Sequence, residues 1–563
     1  MYLRTTKRKN KDGSVVEYFQ LAHNERHPEN KKPVAHIIHS FGRADQLDRD
    51  DLVRLCRSIA RVCGLEINDI SDAVQRKTAA SGTDLAGDIK LIRTLGFGCV
   101  MVIEALWERL GIGKTLRDTC KANRLDMAHE RALLAMTANR LCEPESKLGV
   151  WERWLSKVFL PSCDGLNLDQ MYEAMDVLYY NAAGVERSVF FHTADLLNLQ
   201  VDLIFYDTTT ASFSIDQEDE EGPRRFGRAK EGNWGPQVVV ALAVTREGLP
   251  VRCWVFPGNT TDVDTIEIVR KDLRGWKLGR ALFVADAGMN SEKNQKELSR
   301  ACGKYLLASR MASVGEIRDR VLSKRGRYTV FTENLQAKEV IIGDGECRKR
   351  YILCYNPKEA QRQKKHRSLA LEVLEKELAK HPDKKATAQW AIELLASKRY
   401  KRYLSISKSG QVHIDQDKIR KTEKYDGKWV LETNDDTISL EDAACGYKGL
   451  MIIERCFRSL KRTQIKMSPM YHWLPRRIET HVRICVLALL IERVAELACQ
   501  KPWPQIRQIL DGLQVTEFQT PTHRFFKLNE ATEPVRDTLK LLGIPLPSGV
   551  LGLRSLSESQ SIL

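Results

Sequence analysis

The stretch VDLIFYD at residues 201–207 is an apolar run of strand-forming residues that stops on a carboxylate. Four runs of the same texture follow: PQVVVALAVT (236–245), VRCWVFPGN (251–259), RALFVADAGM (280–289) and KYLLASRM (304–311). Between them, DTIEIVRKDL (264–273) and EKNQKELSRAC (292–302) space their apolar residues by three and four, the helical period. The order of three strands, helix, strand, helix, strand predicts an α/β unit, a mixed sheet flanked by helices.

Carboxylates inside such a unit need a reason to be there. Asp207 follows LIFY, Asp286 follows LFVA and Glu454 follows LMII. A buried carboxylate is strongly disfavoured unless it is paired with a base or binds a cation. Oxygen donors suit magnesium or manganese, and two such ions about 4 Å apart can activate a water or sugar hydroxyl and stabilise the leaving oxygen of a phosphodiester. A single Asp at a strand end is more often a turn or cap residue. Three acids in this pattern, two of them on strands that can lie side by side, point to metal-dependent phosphodiester chemistry.

Charge supports a matching substrate. Lys and Arg number 89 against 74 Asp and Glu, a net +15 that favours a polyanionic partner, nucleic acid ahead of an acidic protein. A 563-residue chain with 43% hydrophobic residues is too long for one small module and too apolar to be disordered as a whole. The 14 cysteines are scattered with no C-x-x-C pair, which argues against a zinc site and for free thiols in a reducing cytoplasm. The N-terminus lacks a signal-peptide pattern, and the longest uncharged apolar run, 484–491, is too short to span a bilayer.

Working outward from the core, residues 1–50 (VVEYFQLA, VAHIIHSFG) predict a small strand-rich unit, and 51–198 (LVRLCRSIARVCGL, VMVIEALWERLGI, ERALLAMTANRL) a basic, mainly helical DNA-binding region. The core begins over 199–311. A strand-containing insertion with a charged helix occupies 312–440, the core resumes with the helix of Glu454 over 441–500, and 501–563 predict a looser tail of helix and loop. The charge run EAQRQKKHRSLALEVLEKELAKHPDKK (359–385) reads first as a solvated helix face and second as a nucleic-acid patch. GIGKT at 111–115 is no phosphate loop, because Glu108 stands where the first glycine belongs.

The spacing Tyr447-(2)-Leu450-(3)-Glu454-(6)-Lys461 resembles the Y-(2)-R-(3)-E-(6)-K signature of bacterial insertion-sequence transposases of the DDE class, with Leu450 in the arginine position. YDTTT, GPQVVVALAVTREGLPVRCWVFPGNTTD, FVADAGM, ERCFRSLK and PMYHWLPRRIETHVRICVLALLIER are similar to the family across about Val201 to Arg493; CEPESKLGVWERW and LDQMYEAMDVL are so more loosely. The resemblance implies a ribonuclease-H-like catalytic core whose Asp207, Asp286 and Glu454 are catalytic and bind two Mg2+ ions, with Mn2+ as a substitute. It also implies that Tyr447 and Lys461 contact transposon-end phosphates. At 100° per residue, Tyr447, Leu450, Glu454 and Lys461 fall within about 60° of one another, and Arg458 joins that face. Arg458 or Arg455 would then supply the charge that Leu450 lacks.

His472 and His481 match family positions, but a histidine on an apolar helix is more often a core residue, so they stay outside the metal set. Thr208 and Thr209 are candidate DNA contacts, and Trp429 a candidate base-stacking residue, with packing as the simpler role. The implied partners are double-stranded DNA, as transposon ends and target, and a second copy of the chain in a homodimer or higher assembly; the implied place is the bacterial cytoplasm at the nucleoid, with no membrane. Two rival readings are a non-catalytic DNA-binding descendant, opposed by three intact acids, and a ribonuclease-H-like nuclease without strand transfer.

Overall fold

The computed structural model describes residues 2–9, 15–26, 33–43 and 89–555, apart from 231, 345–347, 382 and 384. The helical stretch expected at 52–65 lies outside the described residues. The chain divides into two compact units, Met1–Ile89 and Lys90–Leu563. In the first, β1 (Tyr2–Lys9), β2 (Val15–Arg26) and β3 (Pro33–Arg43) form an antiparallel sheet in that order.

The second unit opens with β4 (Lys90–Gly96), α1 (Gly98–Arg109), α2 (Ile112–Ala122), α3 (Ala128–Cys142) and α4 (Leu168–Leu196). A capping box starts α4: the Asn167 side chain accepts from the Gln170 N–H and the Gln170 side chain accepts from the Asn167 N–H. Next come β5 (Leu203–Ser212), β6 (Arg225–Arg228), β7 (Trp234–Val244), β8 (Pro250–Pro257), α5 (Asp262–Gly275), β9 (Leu282–Ala285), α6 (Glu292–Ser299) and β10 (Lys304–Ser309). β5 runs antiparallel to β7, which is antiparallel to β8, while β9 is parallel to both β5 and β10. The spatial order β8-β7-β5-β9-β10 is the ribonuclease-H-like arrangement implied by the family resemblance.

Both faces of this sheet are covered, and that is why its strands read as unbroken apolar runs. Leu203 and Phe205 of β5, with Leu282 and Val284 of β9, enter one core; Ile204, Tyr206, Phe283 and Ala285 enter another beneath Ile266 and Val269 of α5. Each fully buried apolar side chain of this size contributes roughly 1.5–3 kcal/mol.

The insertion differs from a free-standing domain. It contains β11 (Thr329–Thr332), β12 (Leu335–Ile342), β13 (Lys349–Tyr355), α7 (Pro357–Ala379), α8 (Gln389–Ala396), β14 (Leu404–Ile406), β15 (Val412–Ile414), α9 (Gln416–Glu423) and β16 (Lys428–Thr433). β16 pairs with β10 on one side and β13 on the other, so β11-β12-β13-β16 extends the core into a ten-stranded sheet. Among the described residues, two small cores belong to the insertion itself, one of α7–α9 with β14 and β15 around Leu374, Tyr403 and Val412, the other around Ile317, Val340, Tyr351 and Val430 on one face of β12, β13 and β16.

The chain ends with α10 (Leu440–Lys448), α11 (Leu450–Arg458), a π-helical turn at Ser459–Thr463, α12 (Pro475–Cys499), α13 (Trp503–Leu510), β17 (Gln514–Gln519), β18 (His523–Leu528), α14 (Glu533–Leu542) and β19 (Val550–Ser555). The tail is therefore not a loose run of helix and loop: β19-β18-β17-β4 form an antiparallel sheet closed by a strand some 400 residues upstream. Its short, half-exposed strands carry too little periodicity to be read from sequence. Buried residues of α1, α3 and α4 share one core with α12, so the upstream helices are part of the body that carries the acids. The described cysteines are free thiols. No described helix is long and apolar enough to cross a membrane.

Candidate active site

Strand register positions the first two acids. Phe205 pairs with Val284 at the end of the parallel β5–β9 ladder, and Asp207 and Asp286 each stand two residues further on, Asp207 in the middle of β5 and Asp286 just past the carboxyl end of β9. Such strands lie about 4.8 Å apart, and the crevice beyond their carboxyl ends is where open α/β sheets bind ligands. Alternation turns Asp207 to the same face as Leu203 and Phe205.

That face is covered by the junction of α10 and α11. A Cβ on Gly449 would come 2.2 Å from Cζ of Phe205, and one on Gly446 would come 3.4 Å from Cδ1 of Leu203. The missing side chain at Gly449 lets the helix junction lie on β5, while Gly446 packs on Leu203 at ordinary contact distance. Asp207, Asp286 and Glu454 thereby line one cavity of about 330 Å³ with Tyr447, Leu450, Lys448 and, from the insertion, Asn356 and Trp429.

Burial raises the Asp207 pKa above the usual carboxylate value, opposed by Lys230 and by the Thr208 N–H. Lys230 Nζ lies 3.4 Å from Asp207 Oδ1 and 3.6 Å from Asp262 Oδ2, and donates to the Thr208 carbonyl at 2.5 Å. The Tyr447 hydroxyl donates to Asp286 Oδ1 at 2.9 Å. Desolvation and then Asp286 push the Tyr447 pKa far up, with Glu454 and Asp207 adding to it, so the phenol stays protonated. Lys461 Nζ donates to Thr209 Oγ1 at 3.3 Å.

Tyr447, Glu454 and Lys461 do not share one straight helix. The helix is divided at Gly449, and Lys461 sits in the π-helical turn beyond α11. Leu450 is 9% exposed, an apolar wall of the cavity where a guanidinium was expected. Neither candidate substitute lines that cavity. Arg458 is exposed, and Arg455 lines a different one with Arg493 and Glu496.

Thr208 and Thr209 make polar ties, Thr208 Oγ1 to Asp262 and Thr209 Oγ1 from Lys461. Trp429 is half-buried in the cavity wall with its Nε1 unpartnered. His481 is buried, its Nε2 against the Met467 carbonyl and its Nδ1 3.4 Å from Lys147 Nζ, and both it and His472 are pushed toward the neutral form by burial. They belong to the core and not to the acid cavity.

Sequence reasoning missed Lys230 and Asp262. Asp262 ends the NTTD motif and Lys230 lies in a polar loop; neither follows an apolar run, the signal that marked the other acids. Among the described residues, no three His, Cys, Asp or Glu side chains are gathered as they stand into a set that could hold an ion.

Comparison with known proteins gives two family matches: the IS1634 family transposase N-terminal domain at residues 3–69, and the transposase DDE domain at residues 207–491, just over half of the chain. No curated protein matches the chain. A solved piggyBac transposase synaptic complex with hairpin DNA is similar at 10% identity over 79% of each chain, with a TM-score of 0.33. From the extent of the DDE match, which begins on Asp207 and runs past Glu454, the chain belongs to the insertion-sequence DDE transposases.

Proposed function

We propose that Asp207, Asp286 and Glu454 hold two divalent cations, Mg2+ or in its place Mn2+, and that this site cuts DNA at the element's terminal inverted repeats and joins the freed 3′-hydroxyl to target DNA. The observation that carries this reading is that Asp207, Asp286 and Glu454 line one cavity, the two aspartates each two residues beyond the paired Phe205 and Val284 of adjacent parallel strands. The donor set fits: hard carboxylate oxygens, one of them raised in pKa by burial, a cost that a bound cation would relieve. When bound, such ions activate the attacking oxygen and stabilise the leaving one.

The chain's own groups prepare the rest. Lys230 neutralises Asp207 and Asp262, and on binding of cations it is free to turn to a phosphate. Tyr447 orients Asp286 through its hydroxyl, and Lys461, tied to β5 beside Asp207, supplies positive charge for the end phosphates. Arg458, exposed outside the cavity, meets the backbone further out. Trp429 and Leu450 form an apolar wall that limits water around the scissile phosphate. Residues 1–50 and 51–198 carry end recognition, the working form is a homodimer or larger on DNA, and the protein acts at the nucleoid.

The test is cutting of a supercoiled plasmid that carries the inverted repeats. Asp207→Ala, Asp286→Ala and Glu454→Ala should each lower the cutting and joining rates by about 10³-fold or more, the loss of several kcal/mol of transition-state stabilisation. DNA binding, read by fluorescence anisotropy, should hold or tighten as repulsion falls. Calorimetric Mg2+ binding should be lost in parallel. Any one of the three variants cutting at the native rate would refute the assignment.

A further inference from the structure

A second charged cavity lies away from the acids, where the insertion meets the end of β10. It measures about 980 Å³, roughly three times the acid cavity. One face of α7 lines it at Glu359, Arg362, Gln363, His366, Arg367 and Ala370, the i, i+3, i+4 series of a single helical stripe. The opposing walls are Arg310 and Ser313 after β10, Arg399 and Arg402 before β14, and Lys428 at the start of β16.

The acids of this cleft are already committed. Arg367 holds Asp426 in a bidentate pair at 2.8 and 2.6 Å, and Arg362 holds Glu359 at 2.8 Å. Arg310, Arg399, Arg402 and Lys428 have no ion pair among the described residues, so four uncompensated positive charges face one cleft. Arg399 and Arg402 lie against Tyr400 and Tyr403, 5.4 and 5.0 Å from the ring centroids, which restricts the guanidinium groups without neutralising them. Like charges gathered in one concavity repel, and a polyanion relieves that cost.

Continuity selects the polyanion. A neighbouring trough shares Arg310 and Ser313 with the cleft and runs to Ala287 and Gly288, the residues that follow Asp286. That trough also carries Glu292, Glu316 and Glu432, and the more direct link is Asn356, which lines the acid cavity and caps α7, the helix whose face lines the cleft. We propose that this cleft is a second DNA-backbone site, which grips the phosphates of the duplex beyond the cutting point. The proposal rests on the reading of the acid cavity as a DNA-cutting site, and it gives the charged helix at 357–379 a role through its Arg362–His366–Arg367 face.

The experiment uses the full chain and two double variants taken from opposite walls, R310Q/K428Q and R399Q/R402Q. Affinity for a long labelled end duplex is measured against KCl concentration. Each double variant should flatten the slope of log affinity against log salt by about 1.8, at 0.9 per lost phosphate contact. Hydroxyl-radical protection should be lost over one patch of backbone and kept at the cutting point, and cutting of a short duplex that ends near that point should be unchanged. Native slopes in both variants, with wild type bound to the duplex, would overturn the cleft and leave the acid reading standing.

Inorganic tripolyphosphate is the small-anion arm. It should compete no better than matched ionic strength; tight binding of it that both variants lose, with native DNA slopes, would overturn the DNA assignment. If a double variant melts below wild type, the single R310Q and R399Q replace it, each expected to flatten the slope by about 0.9. Failure of wild type to bind duplex DNA at low salt would refute the broader reading instead.

Discussion

The acid cavity and the cationic cleft share the insertion as one wall, yet they are assembled from opposite kinds of sequence. Asp207, Asp286 and Glu454 each follow an apolar run, because Asp207 lies within and Asp286 just past strands buried on both faces, and Glu454 lies on a helix whose other side is core. Arg310, Arg399, Arg402 and Lys428 come from polar loops and a strand start, with nothing in their flanks to mark them. An acid that ends an apolar run stands out in sequence even where, as with Asp286 and Glu454, its own side chain is exposed; an exposed arginine in a polar stretch gains meaning only from its neighbours in space.

The sharpest way to break that contrast is to disturb the packing that gathers the acids while leaving the acids in place. Gly449→Ala puts a Cβ 2.2 Å from Phe205 Cζ, too close for any side chain, so α11 must shift off β5. Overpacking of this kind costs about 1–3 kcal/mol. Thermal melting should fall by several degrees and cutting should fall with it, although no charged group has changed. Native cutting with a lowered melting temperature would mean that Glu454 does not depend on this contact.

Glu492 sharpens the comparison from the other side. It too follows an apolar run, CVLALLI, but it is buried away from the acid cavity, and both its oxygens meet Ser459 Oγ, at 2.7 and 2.6 Å. Burial raises its pKa from 4.5 to about 7. A raised folded-state value means that the preference for the protonated form stabilises the fold fully below about pH 4.5 and is lost as pH rises through about 7. Glu492→Gln, neutral throughout, should therefore gain on wild type between pH 5 and 8, on the order of 2 kcal/mol, in denaturant unfolding. A constant difference across that range would remove the buried proton.

The smallest effects separate Lys461 from Arg458. Lys461→Ala, which removes the tie to Thr209 and a charge beside the acids, should weaken end binding and cutting by roughly tenfold. Arg458→Ala should cost at most about threefold, as expected of an exposed charge. Equal losses in the two variants would put Arg458 back among the groups that replace the missing signature arginine.

Legibility followed the same physics within the fold. The core strands and their order were readable because double-sided burial leaves long apolar runs, and β5 and β9 are such strands. The tail sheet was not, since its exposed, short strands are completed by β4 from far upstream. Thr208 reads as an ordinary β-branched strand residue, and only the fold reveals its bond to Asp262.

By itself, then, the amino-acid sequence determined which carboxylates had to be explained, the mixed sheet that bears two of them, and the excess of positive charge that calls for a polyanion. Tertiary structure alone decided that Asp207 and Asp286 meet Glu454 in one cavity, that Gly449 lets α10 and α11 close on β5, that the insertion strands join the core sheet, and that Lys230 and four distant cations face the surroundings they do. The reason is common to all of these. Burial leaves a local record in residue choice, whereas register, close approach and the meeting of exposed charges are relations between distant segments, which no local stretch of sequence can record.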